Sequence, residues 1–167
     1  MAARLDHYDL VEAVKGHSSE KMGYFVVTEV KLHRPRMGII DVVALRITSA
    51  LPAIFSVECE TSKPDMKKIV GKLIVAKEVS NAVYLAVPSY VYEEDREAFD
   101  SNLRSLGIGL FIVEPITRVV KNAIEVRTDH TPKKRWDELY NKLLEHYPNS
   151  KESIEKAMKK ITGIRNL

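Results

Sequence analysis

MGIIDVVALRITSALPAIFSVECETSK, residues Met37 to Lys63, decides how this chain folds. Two apolar runs rich in β-branched residues, Ile39 to Arg46 and Ala53 to Glu60, are separated only by ITSALP. A connection that short makes them antiparallel strands of a meander. Each run carries acids that an apolar strand does not need: Asp41 in the first, Glu58 and Glu60 in the second. A carboxylate in such a setting costs free energy unless a cation, a partner or water meets it. Side chains alternate along a strand, which sets Asp41, Val43 and Leu45 on one face and Ile40, Val42 and Ala44 on the other. The same rule sets Ser56, Glu58 and Glu60 opposite Phe55, Val57 and Cys59. If the two strands pair with their polar faces together, three carboxylates converge at the end of the sheet. A divalent ion with oxygen ligands relieves their repulsion, and Mg2+ or Mn2+ suits carboxylates better than zinc does.

Working outward toward the N-terminus, Tyr24 to Leu32 is a third strand, joined to Ile39 by a basic HRPRMG turn with Pro35 and Gly38. Before it, a polar link runs from Ser18 to Gly23. Leu5, Tyr8, Leu10, Val11 and Val14 recur near a 3.6 period and predict a helix that stops at Gly16, with Glu12 at the edge of its apolar stripe. Toward the C-terminus the period changes. Pro64 to Lys77 reads as a helix with Ser62 as N-cap, and AVYLAVP, Ala82 to Pro88, as a strand buried on both faces. Glu93 to Leu106 is helical and Gly107 to Glu114 is another apolar strand, parallel to the last through a right-handed crossover. Ile124 to Thr128 fits an edge strand. From Pro132 onward two helical stripes follow, Trp136-Leu139-Tyr140-Leu143-Tyr147 and Ile154-Ala157-Met158-Ile161. The expected order is α, β, β, β, α, β, α, β. That is an α/β protein with a mixed central sheet flanked by helices, residues 1–130 forming the core and 131–167 a helical extension packed on it.

Bulk properties narrow the class. The 167 residues are 45% hydrophobic and 29% charged, enough for one domain with a real core. Cys59 is the sole cysteine, which excludes an intrachain disulfide and argues against a thiolate zinc site. No apolar run approaches the roughly 20 residues of a membrane helix, and no signal-peptide core is evident, so a soluble cytoplasmic protein is expected. The absence of glutamine beside abundant Lys and Glu has the flavour of a thermophile. Net charge is +3, but residues 1–114 hold 14 Lys and Arg against 16 acids, whereas residues 115–167 hold 12 against 7. A basic tail third that includes Lys133, Lys134 and Arg135 raises the prior for a polyanionic partner, although a solvated Lys-rich helical face is the commoner cause of such asymmetry.

Taken together, Ile40-Asp41, sixteen intervening residues, Glu58-Cys59-Glu60, then Thr61-Ser62-Lys63 and a helix resemble the PD-(D/E)XK, or restriction-endonuclease-like, nuclease superfamily, which includes archaeal Holliday-junction resolvases. The resemblance covers residues 5–114. It implies an αβββαβ core and a metal-dependent phosphodiester hydrolase acting on DNA. It further implies that Asp41 and Glu58 bind Mg2+ or Mn2+, that the main-chain carbonyl of Cys59 adds a ligand, and that a helical acid, Glu12 or Glu20, completes the site. Many nucleases of this fold act as homodimers. One position departs from the pattern: Glu60 stands where the family places lysine. That lysine orients the attacking water and offsets transition-state charge. Glu60 then acts as a third acid, and Lys63, Lys67 or Lys68 reaches back from the adjoining helix.

Other features read more plainly. Glu29-Val30-Lys31 is also a literal E-x-K, but it precedes Asp41 and fits an exposed cross-strand ion pair. His7, His17, His33, His130 and His146 show no metal-ligand spacing. Cys59 falls on an apolar face, as a small core residue. The missing lysine leaves a second function open: a nuclease-fold module that no longer cuts and instead binds nucleic acid or assembles with protein.

Overall fold

Period-two segments form strands and period-3.6 segments form helices in the computed structural model, which describes residues 3–32, 38–47, 50–128 and 130–163. Helix α1 (His7–Gly16) runs into a π-helical turn (His17–Lys21). Strands β1 (Phe25–Lys31), β2 (Ile39–Arg46) and β3 (Ala53–Cys59) follow, then α2 (Met66–Lys77) and β4 (Ala82–Pro88). Next come α3 (Ser89–Glu94), α4 (Arg96–Leu106), β5 (Gly109–Val113) and β6 (Val120–Ile124). Helices α5 (Asp137–His146) and α6 (Lys151–Thr162) close the chain. The strands lie in one sheet in sequence order. Antiparallel pairing joins β1, β2 and β3, parallel pairing joins β3, β4 and β5, and β6 returns antiparallel to β5. This is the mixed sheet and the restriction-endonuclease-like order αβββαβ expected from the sequence, with the C-terminal helices added.

Several boundaries moved for physical reasons. Asp65, not Ser62, caps α2, because its Oδ1 accepts the Lys67 amide at 3.0 Å. The helix expected over Glu93 to Leu106 is two: Asp95 ends α3 with a non-helical backbone and caps α4 by accepting the Ala98 amide. Gly107 then stops α4 in the left-handed conformation, φ 63°. The edge strand sits at β6, four residues ahead of its expected start. The segment read as a polar link at Ser18 to Gly23 is largely the π-helical turn. The HRPRMG turn, apart from Gly38, and two residues of ITSALP lie outside the described residues.

The sheet divides the core in two. One face packs Val43, Leu45, Ile54 and Leu85 against Ile69 and Leu73 of α2, Phe99 and Leu103 of α4, Leu139 and Leu143 of α5, and Ile154 of α6. The other packs Val42, Ala44, Val57, Cys59 and Ala86 under Leu10 and Val14 of α1. Strand β4 is buried along its whole length, as its unbroken apolar run foretells. Trp136 precedes α5 inside this core, and its Nε1 donates to the Lys31 carbonyl at 2.9 Å.

Alternation breaks at one place. Glu29 has a left-handed backbone, φ 55°, so Val27 and Val30 both bury on the α2 side. Across the ladder, Ile40 joins the same cluster rather than sharing the Val42 face. Lys142 of α5 holds the kink by donating to the Thr28 and Glu29 carbonyls, each at 2.9 Å. Among the described residues Glu29 forms no ion pair, so the literal E-x-K is a backbone feature and not the expected salt bridge.

Candidate active site

Asp41 stands opposite this kink, since Thr28 pairs with Val42 and Val30 with Ile40. The ladder between β2 and β3 ends at Val42 and Val57. Two residues beyond Val57, the Cys59 amide is met by a side chain: it donates to Asp41 Oδ2 at 2.8 Å. A buried amide at a strand end needs an acceptor, and Asp41 supplies it. The other carboxylate oxygen, Oδ1, faces His7 Nε2 at 3.2 Å, from the first turn of α1. Asp41 is thus a half-buried acid between the sheet end and α1.

Glu58 points to the other side of the sheet, toward α2, and is buried, with 4% of its surface exposed. Its Oε1 is hydrogen-bonded and ion-paired to Lys72 Nζ, whereas its Oε2 is buried with no hydrogen-bond partner. Burial, and next the Asp41 charge, push the Glu58 carboxyl up to about 7, against the pull of Lys72. Glu60 is held in place by its amide, which donates to the Ala86 carbonyl of β4 at 2.9 Å. Its carboxyl is raised too, by burial first and then by Asp41, while Lys72 and His7 oppose the rise. The Asp41 charge therefore reaches both Glu58 and Glu60, although the shared face expected from alternation is not formed: Asp41 turns to α1, away from the side of Val43 and Leu45, and Glu58 turns to α2. Glu58, Glu60, Lys68 and Lys72 line a cleft of about 290 Å3.

Not every expected residue arrives. Lys63 is exposed and bonds Asp95 at 2.8 Å, because the residue that caps α4 also attracts it. Lys67 lies on the exposed side of α2; five residues separate it from Lys72, about 140° around the helix. Glu12 is an equal five residues from His7, so the two cannot both face Asp41. Glu12 pairs with Lys15 at 3.7 Å and lines, with Glu20, a separate cleft beside Arg118. Cys59 buries its side chain under α1, and burial raises its thiol well above the usual range, which leaves it no nucleophilic role. Lys134 pairs with Glu78 and Arg135 with Asp137, so two of the basic tail residues have internal partners.

Two residues were missed from sequence. Lys72 lies beside buried Leu73 and four residues after Lys68, a spacing that marks it as flanking the apolar stripe and reaching the sheet end. His7 carries no such signal, since its meeting with Asp41 spans 34 positions of sequence.

Among the described residues, no three His, Cys, Asp or Glu side chains group closely enough to enclose a metal ion. Two carboxylates still fit Mg2+ or Mn2+, which keep several waters and are commonly held by one or two protein acids together with substrate phosphates. The unpartnered, buried Glu58 Oε2 is the observation that favours a cation there.

No family model matches this chain, and no curated protein matches it. Among solved structures, the chain is similar to an XisH family protein from Nostoc punctiforme PCC 73102. The TM-score is 0.48 and the identity 16%, over 70% of this chain and 99% of that one. What the fold and geometry define is an α/β protein with an acidic cluster and a half-buried lysine at one sheet end. No helix among the described residues is long and apolar enough to cross a membrane.

Proposed function

We propose that this chain is a metal-dependent nuclease of the restriction-endonuclease-like kind, hydrolysing phosphodiester bonds in DNA. One observation carries the reading: Lys72 of α2 reaches Glu58 at the sheet end and so supplies the cation that Glu60 does not. Asp41 and Glu58 would hold Mg2+ or Mn2+, with the Cys59 carbonyl adjacent. The bound ion would polarise a phosphoryl oxygen and acidify a water. Lys72, beside that pair, is placed to offset negative charge on the phosphoryl group and to orient the water. Glu60 shapes the mouth of the cleft. His7 takes the place expected of Glu12 as the α1 group facing Asp41.

The test is a panel of duplex, single-stranded and branched DNA, with RNA, incubated with and without Mg2+ or Mn2+. Metal-dependent cleavage that disappears in Asp41→Ala, with folding retained, is expected. Equal cleavage by that variant would refute the assignment.

A second reading has its own observation. Both Asp41 oxygens already have protein partners, Cys59 and His7, which suits a fold that binds nucleic acid without cutting. That reading expects salt-sensitive binding with no turnover under any metal.

A further inference from the structure

Helix α2 carries a glycine that no contact among the described residues requires. Gly71 sits in the middle of Met66–Lys77, is exposed, and a Cβ added there would meet no atom of the described residues within 4 Å. Its backbone is not left-handed. Gly109 differs, since a Cβ there would lie 2.2 Å from the Tyr84 ring. A glycine inside a helix lowers stability relative to alanine, so an exposed one with no internal reason points to something outside the chain.

Its neighbours say what. Lys67 and Lys68 precede Gly71 by four and three residues and Ile74 follows by three, so all four share one helical patch. Neither lysine forms an ion pair among the described residues. Ile74 is 47% exposed. Lys68 also lines the cleft with Glu58, Glu60 and Lys72, which makes the patch continuous with the candidate active site.

We infer that this patch seats the sugar-phosphate backbone of the DNA substrate. Lys67 and Lys68 meet phosphates, Gly71 lets the strand lie against the helix, and Ile74 covers the apolar side of a deoxyribose. The inference rests on the nuclease reading and states how its substrate lies.

Binding is measured by fluorescence anisotropy with a short labelled DNA duplex and its single strand, in the Asp41→Ala background so that no cleavage intervenes. Gly71→Ala should raise Tm by about 2–4 °C while weakening binding. Gly71→Leu should weaken it about tenfold or more. A purely structural glycine would give the first effect without the second. Replacing Lys67 and Lys68 together by Ala should lower the slope of log affinity against log salt by about 2. Unchanged affinity in Gly71→Leu, or an unchanged salt slope in the double variant, overturns the inference, and so does equal affinity for polyglutamate and DNA. With wild-type cleavage intact, those results leave the nuclease reading standing. A wild-type chain that neither binds nor cuts DNA contradicts both.

Discussion

At the scale of the residue, Glu58 holds the tension of the fold. It is buried, shares its surroundings with Asp41 and Glu60, and has one cationic partner, Lys72. Its carboxyl binds a proton more tightly in the folded protein, at about 7, than in the unfolded chain, where the ordinary value is 4.5. Protons bound in excess by the native state make stability fall as pH rises across that window. In metal-free buffer, Glu58→Gln removes this slope, so the variant should gain on the wild type by on the order of 3 kcal/mol between pH 4.5 and 8. Urea unfolding at several pH values measures it, and parallel pH profiles would contradict the electrostatic account. Asp41, Glu58 and Glu60 were legible because an acid in an apolar strand has few innocent explanations. Lys72 was not, because a lysine bordering a helical stripe looks like any surface lysine until the sheet end is placed beneath it.

At the scale of the element, α2 decides which lysine is available. Capping by Asp65 rather than Ser62 starts the helix at Met66, and the turns that follow carry Lys68 and Lys72 round to the cleft. Asp65→Ala should cost about 1 kcal/mol of stability, whereas Ser62→Ala should cost almost nothing; thermal unfolding of the two variants separates them. The sequence offers both residues just ahead of the apolar run, and the amide that takes the cap, that of Lys67, is set by tertiary packing. The strands were easier to read. Their alternation assigned Phe55, Val57 and Cys59 to one face of β3, but it failed at Ile40, because no local signal announces the left-handed Glu29 across the ladder.

At the scale of the whole molecule, the six-stranded sheet with α1 on one face and five helices on the other fixes the distance between Asp41 and Lys72. Helices α5 and α6 belong to that arrangement: Leu139, Leu143 and Ile154 are fully buried in the core that also holds Leu73 of α2. Leu143→Ala should therefore destabilise the entire protein by about 2–5 kcal/mol in one cooperative transition. A separate, early transition of the C-terminal helices would contradict this. Element order and the parallel return of β4 and β5 follow from pattern and connection length alone. The meeting of His7 with Asp41, and of Lys63 with Asp95, does not, since both join segments far apart in sequence. The most direct measurement is Mn2+-dependent cleavage of plasmid DNA by Lys72→Met beside the wild type. A loss of about 100-fold or more with unchanged folding is the predicted result. Equal rates would show that Lys72 is not the lysine of the site and would contradict the account.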